Sequence, residues 1–505
     1  MSDAAAPPTG PAPAGTSLNR ARRERELAAL AGGEVVDLLV VGLGVTGAGV
    51  ALDAASRGLT VAAIDAHDLA FGTSRWSSKL VHGGLRYLAS GRVGVAFASM
   101  RERRVLLETV APHLVRPLPM LLPGDGRRAL LTGAGLRGAE VLSRAAGTRR
   151  ATLPAPRRIG PAEARLLVPA LRDTGEGAWL SWDGQLVDDA RLVVALARTA
   201  AGLGARILTR CRAVTVAADG ALVHDTVADA PVRLRARAVV NAAGVWAGGL
   251  VDGITLRPSR GSHVVLPASA LGDPRGALTV PIGGSMSRYA FALPQPGGLV
   301  YLGITDEPVE GSVPDVPEPT ETEIGFLLDV LNSALDTPVR RDQVLGAYAG
   351  LRPLLDDGRH SGADLSRRHA VLTSPSGVVT IVGGKLTTYR AMAADAVDTA
   401  VKVRTLAAGP SRTASLPLVG AGPVPPGAPP RLVARYGSEA AEVLACGDPE
   451  PVADGVPVSP AELRWGVLHE GALDVDDLLD RRTRVGLVPS RRAMAEPAAR
   501  AALRH

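Results

Sequence analysis

The run Val35-Val-Asp-Leu-Leu-Val-Val41 passes directly into Gly42-Leu-Gly-Val-Thr-Gly47, an order that points to a doubly wound α/β domain. A short apolar run that stops at a glycine reads as a buried parallel strand. The glycines fit G-x-G-x-x-G: Gly42 for the tight turn, Gly44 for close approach of backbone to a pyrophosphate, Gly47 for packing of the next helix on the strand. Val45 to Ser56 is predicted as that helix, with the free N–H groups of its first turn at Val45, Thr46 and Gly47 facing phosphate oxygens. Gly58 ends it, Val61 to Ile64 forms the second strand, and Asp65 stands at the strand tip to accept from ribose hydroxyls. The fingerprint implies a dinucleotide cofactor without dividing FAD from NAD.

Length and composition bound the remainder. A chain of 505 residues with 46% hydrophobic and 21% charged residues builds two or three globular domains, and no apolar run is long enough to span a bilayer. Cys211 and Cys446 stand far apart with no C-x-x-C, which argues against a disulfide framework or thiolate metal site and fits a reducing cytoplasm. The first 17 residues, rich in Pro, Ala and Gly, read as a disordered tail. The net charge of +6 is concentrated: between Arg101 and Arg172 fourteen arginines face five acids, interleaved with Pro117 to Pro123 and with Leu130-Leu131. Aromatic residues for base stacking are lacking there, which excludes a nucleic-acid partner. An anionic membrane surface is the functional reading, and a solvated arginine-rich face is the alternative.

The run Gly72-Thr-Ser-Arg-Trp-Ser-Ser-Lys-Leu-Val-His-Gly-Gly-Leu-Arg-Tyr-Leu88 is too polar and glycine-rich for core. Its hydroxyls (Thr73, Ser74, Ser77, Ser78), cations (Lys79, Arg86) and glycines (Gly83, Gly84) suit a loop that cradles an anionic ligand. Further on, Asp188 and Asp189 suit a helix N-terminus, and Ala236 to Gly244 is an apolar strand ending in small residues that admit a cofactor. Arg260-Gly-Ser-His263 places a histidine at the entrance of the strand Val264 to Leu266. Arg352 sits among small and apolar neighbours, where a guanidinium calls for an anion. Val378 to Val382 enters Gly383-Gly-Lys-Leu-Thr-Thr-Tyr-Arg390, repeating the strand, glycine, helix logic. Ser459-Pro-Ala-Glu462 supplies an N-cap, with a helix expected through Leu473.

Taken together, Gly42 to Gly47, Gly72 to Leu88, Asp188-Asp-Ala-Arg-Leu192, Asn241-Ala-Ala-Gly244, Arg260 to His263 and Gly383 to Arg390 closely resemble FAD-dependent glycerol-3-phosphate dehydrogenase of the quinone-linked type. The likeness runs from about Val35 to Gly486. It implies a Rossmann-type FAD domain of the D-amino-acid-oxidase/glutathione-reductase type, a β-sheet-based substrate cap and a helical C-terminal domain. The expected division is a tail with a short helix (1–34) and an oxidoreductase body (35–420). In that body 35–100, 185–258 and 365–405 form the FAD domain, and 101–184 with 259–364 form the cap. A linker (421–430) and a C-terminal domain (431–505) follow.

The resemblance also implies roles. FAD would be held by Gly42, Gly44, Val45, Thr46, Gly47, Asp65, Thr73, Ser74, Ser78, Lys79, Gly83, Leu85, Ala243, Gly244, Gly384, Lys385, Leu386 and Thr387. Arg352 and Arg367 would clamp the phosphate of sn-glycerol 3-phosphate, since a planar guanidinium grips phosphate bidentately. Arg86 and Lys385 would contact the hydroxyl or developing ketone oxygen, His263 would act as base and Tyr87 as an orienting hydroxyl. Electrons would pass to a quinone, in a cytoplasmic protein with peripheral contact on the inner face of the membrane; a homodimer is compatible with this. The alternatives are an oxidase using oxygen, or a related polyol-phosphate dehydrogenase, since Pro294-Gln295 and Gly303-Ile-Thr-Asp306 depart from the usual cap pattern.

Overall fold

The computed structural model describes residues 14–84, 87–88, 91–124, 126–283, 288–356 and 369–504, with 14 and 126–128 described by backbone only. Residues Leu85, Arg86 and Arg367 therefore lie outside the described residues.

The expected nucleotide-binding unit forms with the expected bounds: strand Val35–Val41, helix Val45–Ser56, strand Val61–Ile64. Val35–Val41 lies between Ala230–Asn241 and Val61–Ile64, parallel to both. Arg206–Leu208 and Val379–Val382 extend the parallel sheet, Ala370–Thr373 closes one edge antiparallel, and the hairpin Cys211–Ala217 with Gly220–Asp225 adds to Ala230–Asn241. Alternation from Leu38 to Val41 assigns the two faces of the first strand, and Val36 at its start joins the Leu39 side. Leu38 and Val40 pack under Val45–Ser56, Asp189–Gly202 and Tyr389–Arg404, whereas Val36, Leu39 and Val41 join the cluster containing Leu27 and Leu30 of Arg20–Ala31. A sheet covered on both faces explains the near-continuous apolar run at Val35–Val41.

A second, ten-stranded sheet forms the cap. Leu256–Pro267, Leu299–Gly303, Tyr289–Gln295, Ala277–Pro281, Val115–Pro123 and Ala178–Leu186 follow one another across it, and Gly346–Leu355 pairs with Leu256–Pro267. Two details depart from the sequence reading. Leu80–Val81 pairs with Ala178–Leu186 and so belongs to the cap sheet although it falls within 35–100. Arg260 to His263 is not an entrance to a strand; it lies inside the twelve-residue strand Leu256–Pro267, because Gly346–Leu355 pairs along its length.

In the C-terminal domain Pro430–Tyr436 and Ala440–Ala445 pack against Trp465 through Leu432, Tyr436 and Val443, while Pro460–His469 and Pro489–Ala502 pack around Val456, Leu463, Leu478 and Ala499. Ser459 caps Pro460–His469 in a capping box with Glu462, as its sequence leads one to expect. The helix stops at His469 rather than Leu473. Glu470 turns inward to receive a two-pronged bond from Arg191 (2.7 and 2.7 Å) and the Trp465 indole N–H (2.8 Å). Arg198 forks onto Glu439 in the same way, at 2.6 and 2.7 Å. Removing one partner of such a buried pair costs about 3–5 kcal/mol, so the domain is locked to the oxidoreductase body rather than merely tethered by 421–430. Residues 14–17, expected to be disordered, pack here too: Ser17 Oγ lies 2.8 Å from His469 Nδ1, and Leu18 is buried.

Candidate active site

The glycine turn has the geometry its spacing requires. Gly42 adopts φ +103°, and a Cβ there would stand 2.6 Å from the Ala242 carbonyl oxygen. A Cβ on Gly47 would lie 1.8 Å from the Gly42 carbonyl oxygen, so only glycine lets the helix close on the turn. At the tip of the second strand Asp65 accepts from the N–H groups of Leu43 (2.7 Å) and His67 (2.8 Å). Burial pushes its carboxyl up to about 6. One carboxylate thus ties the glycine turn to the second strand while facing the cavity.

Ser74 caps the glycine-turn helix: its Oγ accepts from Val45 N–H at 2.8 Å. Thr73 reaches across to the cap and donates to the Leu351 carbonyl at 2.6 Å. Asn241 shapes the next rim, donating to the Ala247 carbonyl and accepting from Ala243 N–H, and Gly244 adopts φ +59°. Gly83 N–H donates to Asp183, which also receives Arg103, so the glycine pair is held by a buried ion pair. Gly384, at φ +77°, leads into Leu386 and Thr387 on the opposite side.

Lys79 departs from its expected place. It is absent from the cavity lining and 1% exposed. Its Nζ donates to Asp189 Oδ2 (2.9 Å) and to the carbonyls of Arg75 (3.1 Å) and Ser77 (3.0 Å). Burial pushes its ammonium down to about 8 against the opposing pull of Asp189. Its side chain is a support beneath the loop rather than a cofactor contact.

His263 also departs from its expected place. It is fully buried behind the cavity wall, its ring stacked on Tyr348 at 4.7 Å and its Nε2 2.8 Å from Ser78 Oγ. Burial, with Lys79 and Arg352 nearby, holds it well below the usual imidazole range, so it is neutral. Ser78 lines the cavity and His263 does not; the imidazoles that do are His67, next to Asp65, and His82, whose only signal in the sequence is its place in the loop. The reason is the strand register, which puts His263 opposite Tyr348 and Gly303.

Arg352, Lys385 and Tyr87 line the same cavity. Arg352 donates to Asp306 Oδ1 (3.0 Å), the Thr305 carbonyl (3.0 Å) and Ser259 Oγ (3.3 Å), so the anion its isolation calls for includes a structural carboxylate. Gly261 makes room for it: a Cβ there would meet Arg352 Nη2 at 2.6 Å. Lys385 donates to Ser99 Oγ at 2.6 Å and sits 4.0 Å over the Tyr87 ring. Ser99, Asp183 and Asp306 were not legible as site residues, because each acts on a partner distant in sequence.

One cavity of about 1640 Å³ connects the glycine turn, Asp65 and Arg212 with Arg352, Lys385 and His82. That exceeds what a drug-sized ligand fills and accommodates a dinucleotide together with a small substrate. Glycine backbones at one end, a carboxylate at the strand tip and cations at the other match the demands of FAD beside an anionic alcohol.

Residues 37–390 match the family model described as FAD dependent oxidoreductase, and 411–503 match the C-terminal domain of alpha-glycerophosphate oxidase. Glycerol-3-phosphate dehydrogenase 1 of Mycobacterium tuberculosis (strain ATCC 25618 / H37Rv) is 53% identical over 498 residues, covering 94% of this chain and 96% of that protein. The crystal structure of the Bacillus halodurans glycerol-3-phosphate dehydrogenase complexed with FAD superposes with a TM-score of 0.72 at 25% identity, covering 96% of this chain and 94% of the other. L-alpha-glycerophosphate oxidase from Mycoplasma pneumoniae with FAD bound shares the fold, with a TM-score of 0.57 at 16% identity over 76% of this chain and 99% of that one. With residues 37–390 and 411–503 matched to these two family models and 53% identity to a glycerol-3-phosphate dehydrogenase across 94% of its length, the chain belongs to the FAD-dependent glycerol-3-phosphate dehydrogenase family.

Proposed function

We propose that the protein oxidises sn-glycerol 3-phosphate to dihydroxyacetone phosphate and delivers the electron pair to a quinone. The observation that carries this reading is the convergence of Arg352, Lys385, Tyr87 and His82 on one cavity with the glycine turn. When bound, FAD supplies the hydride acceptor. Arg352, together with Arg367, holds the phosphate dianion, and fixing that end of the substrate orients its secondary carbon. Lys385, above Tyr87, stabilises negative charge developing on the hydroxyl oxygen. His82 takes the hydroxyl proton; His263, neutral and buried, orients the Ser78 hydroxyl instead.

A quinone is supported by the apolar lining of the cavity, where Met100, Met120, Leu122 and Leu136 stand together with Leu131, itself 62% exposed. Dioxygen is the second reading, favoured by the match of 411–503 to an oxidase domain. The test is anaerobic: glycerol 3-phosphate should bleach the flavin absorbance of the purified holoprotein, and a quinone should restore it faster than oxygen does. His82→Gln is expected to slow bleaching by about 100-fold or more, in the range of a lost general base. Bleaching only by another polyol phosphate would move the substrate assignment, and faster recovery in oxygen with peroxide formation would move the acceptor.

Contact with an anionic bilayer is the companion proposal. No helix among the described residues is long and apolar enough to cross a membrane. On Gly126–Ala145, however, Leu130, Arg137 and Val141 are exposed. At about 100° per residue they share one helix face. Arg149 and Arg150 lie beyond, only weakly engaged by Glu108 and Glu140 at 3.5 and 3.4 Å. Apolar and cationic residues side by side suit an anionic interface. Leu130→Asp combined with Arg149→Glu and Arg150→Glu should shift the protein from the pellet to the supernatant when sedimented with phosphatidylglycerol vesicles, with bleaching in solution unchanged. Sedimentation identical to that of the wild type would remove this face from the membrane contact.

A further inference from the structure

The helical C-terminal domain sends an arginine into the floor of the cofactor loop. Arg484 lies in the left-handed backbone region (φ +63°), and its side chain is buried. Left-handed backbone at a non-glycine residue persists where the surroundings over-determine it, and such sites are candidates for function. Arg484 Nη2 donates to the Arg75 carbonyl at 2.6 Å. Lys79, also left-handed (φ +59°), donates to that same carbonyl from the other domain at 3.1 Å. Two cations therefore use both lone pairs of one oxygen, three residues before Ser78.

The charges balance locally. Asp189 Oδ2 receives Ser77 N–H, Ser77 Oγ–H and Lys79 Nζ at 2.9, 2.7 and 2.9 Å. Arg484 Nε lies 3.8 Å from Asp188 Oδ1, and its guanidinium stands 5.1 Å from the Trp76 ring. Tyr348 donates to the Ser77 carbonyl at 3.0 Å while stacking on His263. Trp76, Ser77 and Ser78 line the cavity, so the backbone pinned from below by Arg484 carries the wall above. At the start of the same segment Arg481 and Arg482 bind Asp68, at 2.6 Å and at 2.7 and 2.8 Å.

We propose that Arg484 is a positioning residue: from the C-terminal domain it fixes the Arg75–Ser78 backbone, and through it the Ser78 hydroxyl beside FAD. This rests on the reading of the cavity as an FAD-dependent alcohol-oxidising site. It makes the C-terminal domain part of the machinery for holding the cofactor loop, although none of the C-terminal arginines lines the cavity.

The experiment compares FAD-loaded Arg484→Met, Arg484→Lys and Arg198→Lys. Arg198 lies in an equally buried bridge to the same domain that does not touch the loop. Arg484→Met should alter the visible circular dichroism of bound FAD, release FAD about tenfold faster on dilution and lower kcat per bound flavin about tenfold. KM for glycerol 3-phosphate should stay within about twofold, because the phosphate-holding cations are not moved. Arg484→Lys, which still donates to the Arg75 carbonyl, should recover much of the flavin signal. Arg198→Lys should lower Tm with an unchanged flavin spectrum and unchanged kcat per flavin. Combining Arg484→Met with Ser78→Ala should give less than the sum of the two losses. Flavin signals in Arg484→Met that match those of Arg198→Lys, or strictly additive losses with Ser78→Ala, would overturn the proposal. If Arg484→Met yields no folded holoprotein, Arg484→Gln against Arg198→Gln decides the same point: an altered flavin dichroism in the first alone supports the proposal, and matching signals overturn it. A wild-type flavin that glycerol 3-phosphate fails to bleach would defeat the substrate assignment while leaving the dichroism and FAD-release comparison intact.

Discussion

Gly47→Ala should give a protein that purifies nearly colourless. The added Cβ would stand 1.8 Å from the Gly42 carbonyl oxygen and 2.8 Å from its carbon, both backbone atoms that no rotamer change can move. The turn must open or the helix Val45–Ser56 must lift from the strand, and either change withdraws the N–H groups that face the cofactor's phosphates. Overpacking of this kind costs roughly 3 kcal/mol, and FAD affinity should fall about 100-fold or more. The measurement is the flavin-to-protein absorbance ratio after dialysis, followed by an FAD fluorescence titration. Two other glycines calibrate it. At Gly44 the Cβ would meet within the protein only the Ser74 side chain, at 3.0 Å, but it would stand where backbone approaches the pyrophosphate, so FAD should be lost there with the turn itself intact and Tm unchanged. At Gly138 it would meet nothing within 4 Å, and full flavin content is expected. A Gly47→Ala protein as yellow as Gly138→Ala would refute the assignment of this turn.

Arg352→Ala should be the most damaging change at the substrate end. Losing the guanidinium removes a phosphate-binding cation and also the 3.0 Å ion pair with Asp306, leaving that carboxylate's charge unopposed by Arg352 where a dianion must sit. Truncating one member of a hydrogen-bonded charge pair at a binding site costs roughly 3–4 kcal/mol, so kcat/KM should drop by about two to three decades, mostly through KM. The second half of the argument has its own check. Asp306→Asn placed in the Arg352→Ala background should recover about tenfold, because it removes the repulsion without restoring the attraction. If Asp306→Asn gives no recovery, the carboxylate does not face the phosphate. FAD content should remain normal in both variants, which separates this end of the cavity from the glycine turn.

How far the sequence could be read follows the range of the interactions. The glycine turn, its flanking strands and helix, and the caps at Asp188 and Ser459 appear where their residues place them. Each is decided by bonds and steric limits within a few residues. His263 and Lys79 lie away from the cavity for the converse reason. His263 has the composition of a site residue, but pairing with Gly346–Leu355 and Leu299–Gly303 turns it behind the wall, where it meets Ser78, 185 positions away in the chain. Lys79 has the charge of an anion ligand, but Asp189, 110 positions away, draws it underneath the loop.

The same contrast runs through the whole molecule. By itself the sequence determined that a dinucleotide turn begins the chain's first βαβ unit, that a second glycine turn opens the helix near Tyr389, and that cations and hydroxyls cluster between Gly72 and Leu88. Those are consequences of local backbone freedom and side-chain chemistry. Only the tertiary structure decided which polar groups face the cavity, that Arg352 shares Asp306, that His82 rather than His263 lies on the wall, and that Arg484 reaches the loop floor from the C-terminal domain. The physical reason is that burial and pairing of charge depend on which distant segments meet. A buried cation settles where carboxylates and carbonyls satisfy it, and those partners come from other strands and another domain.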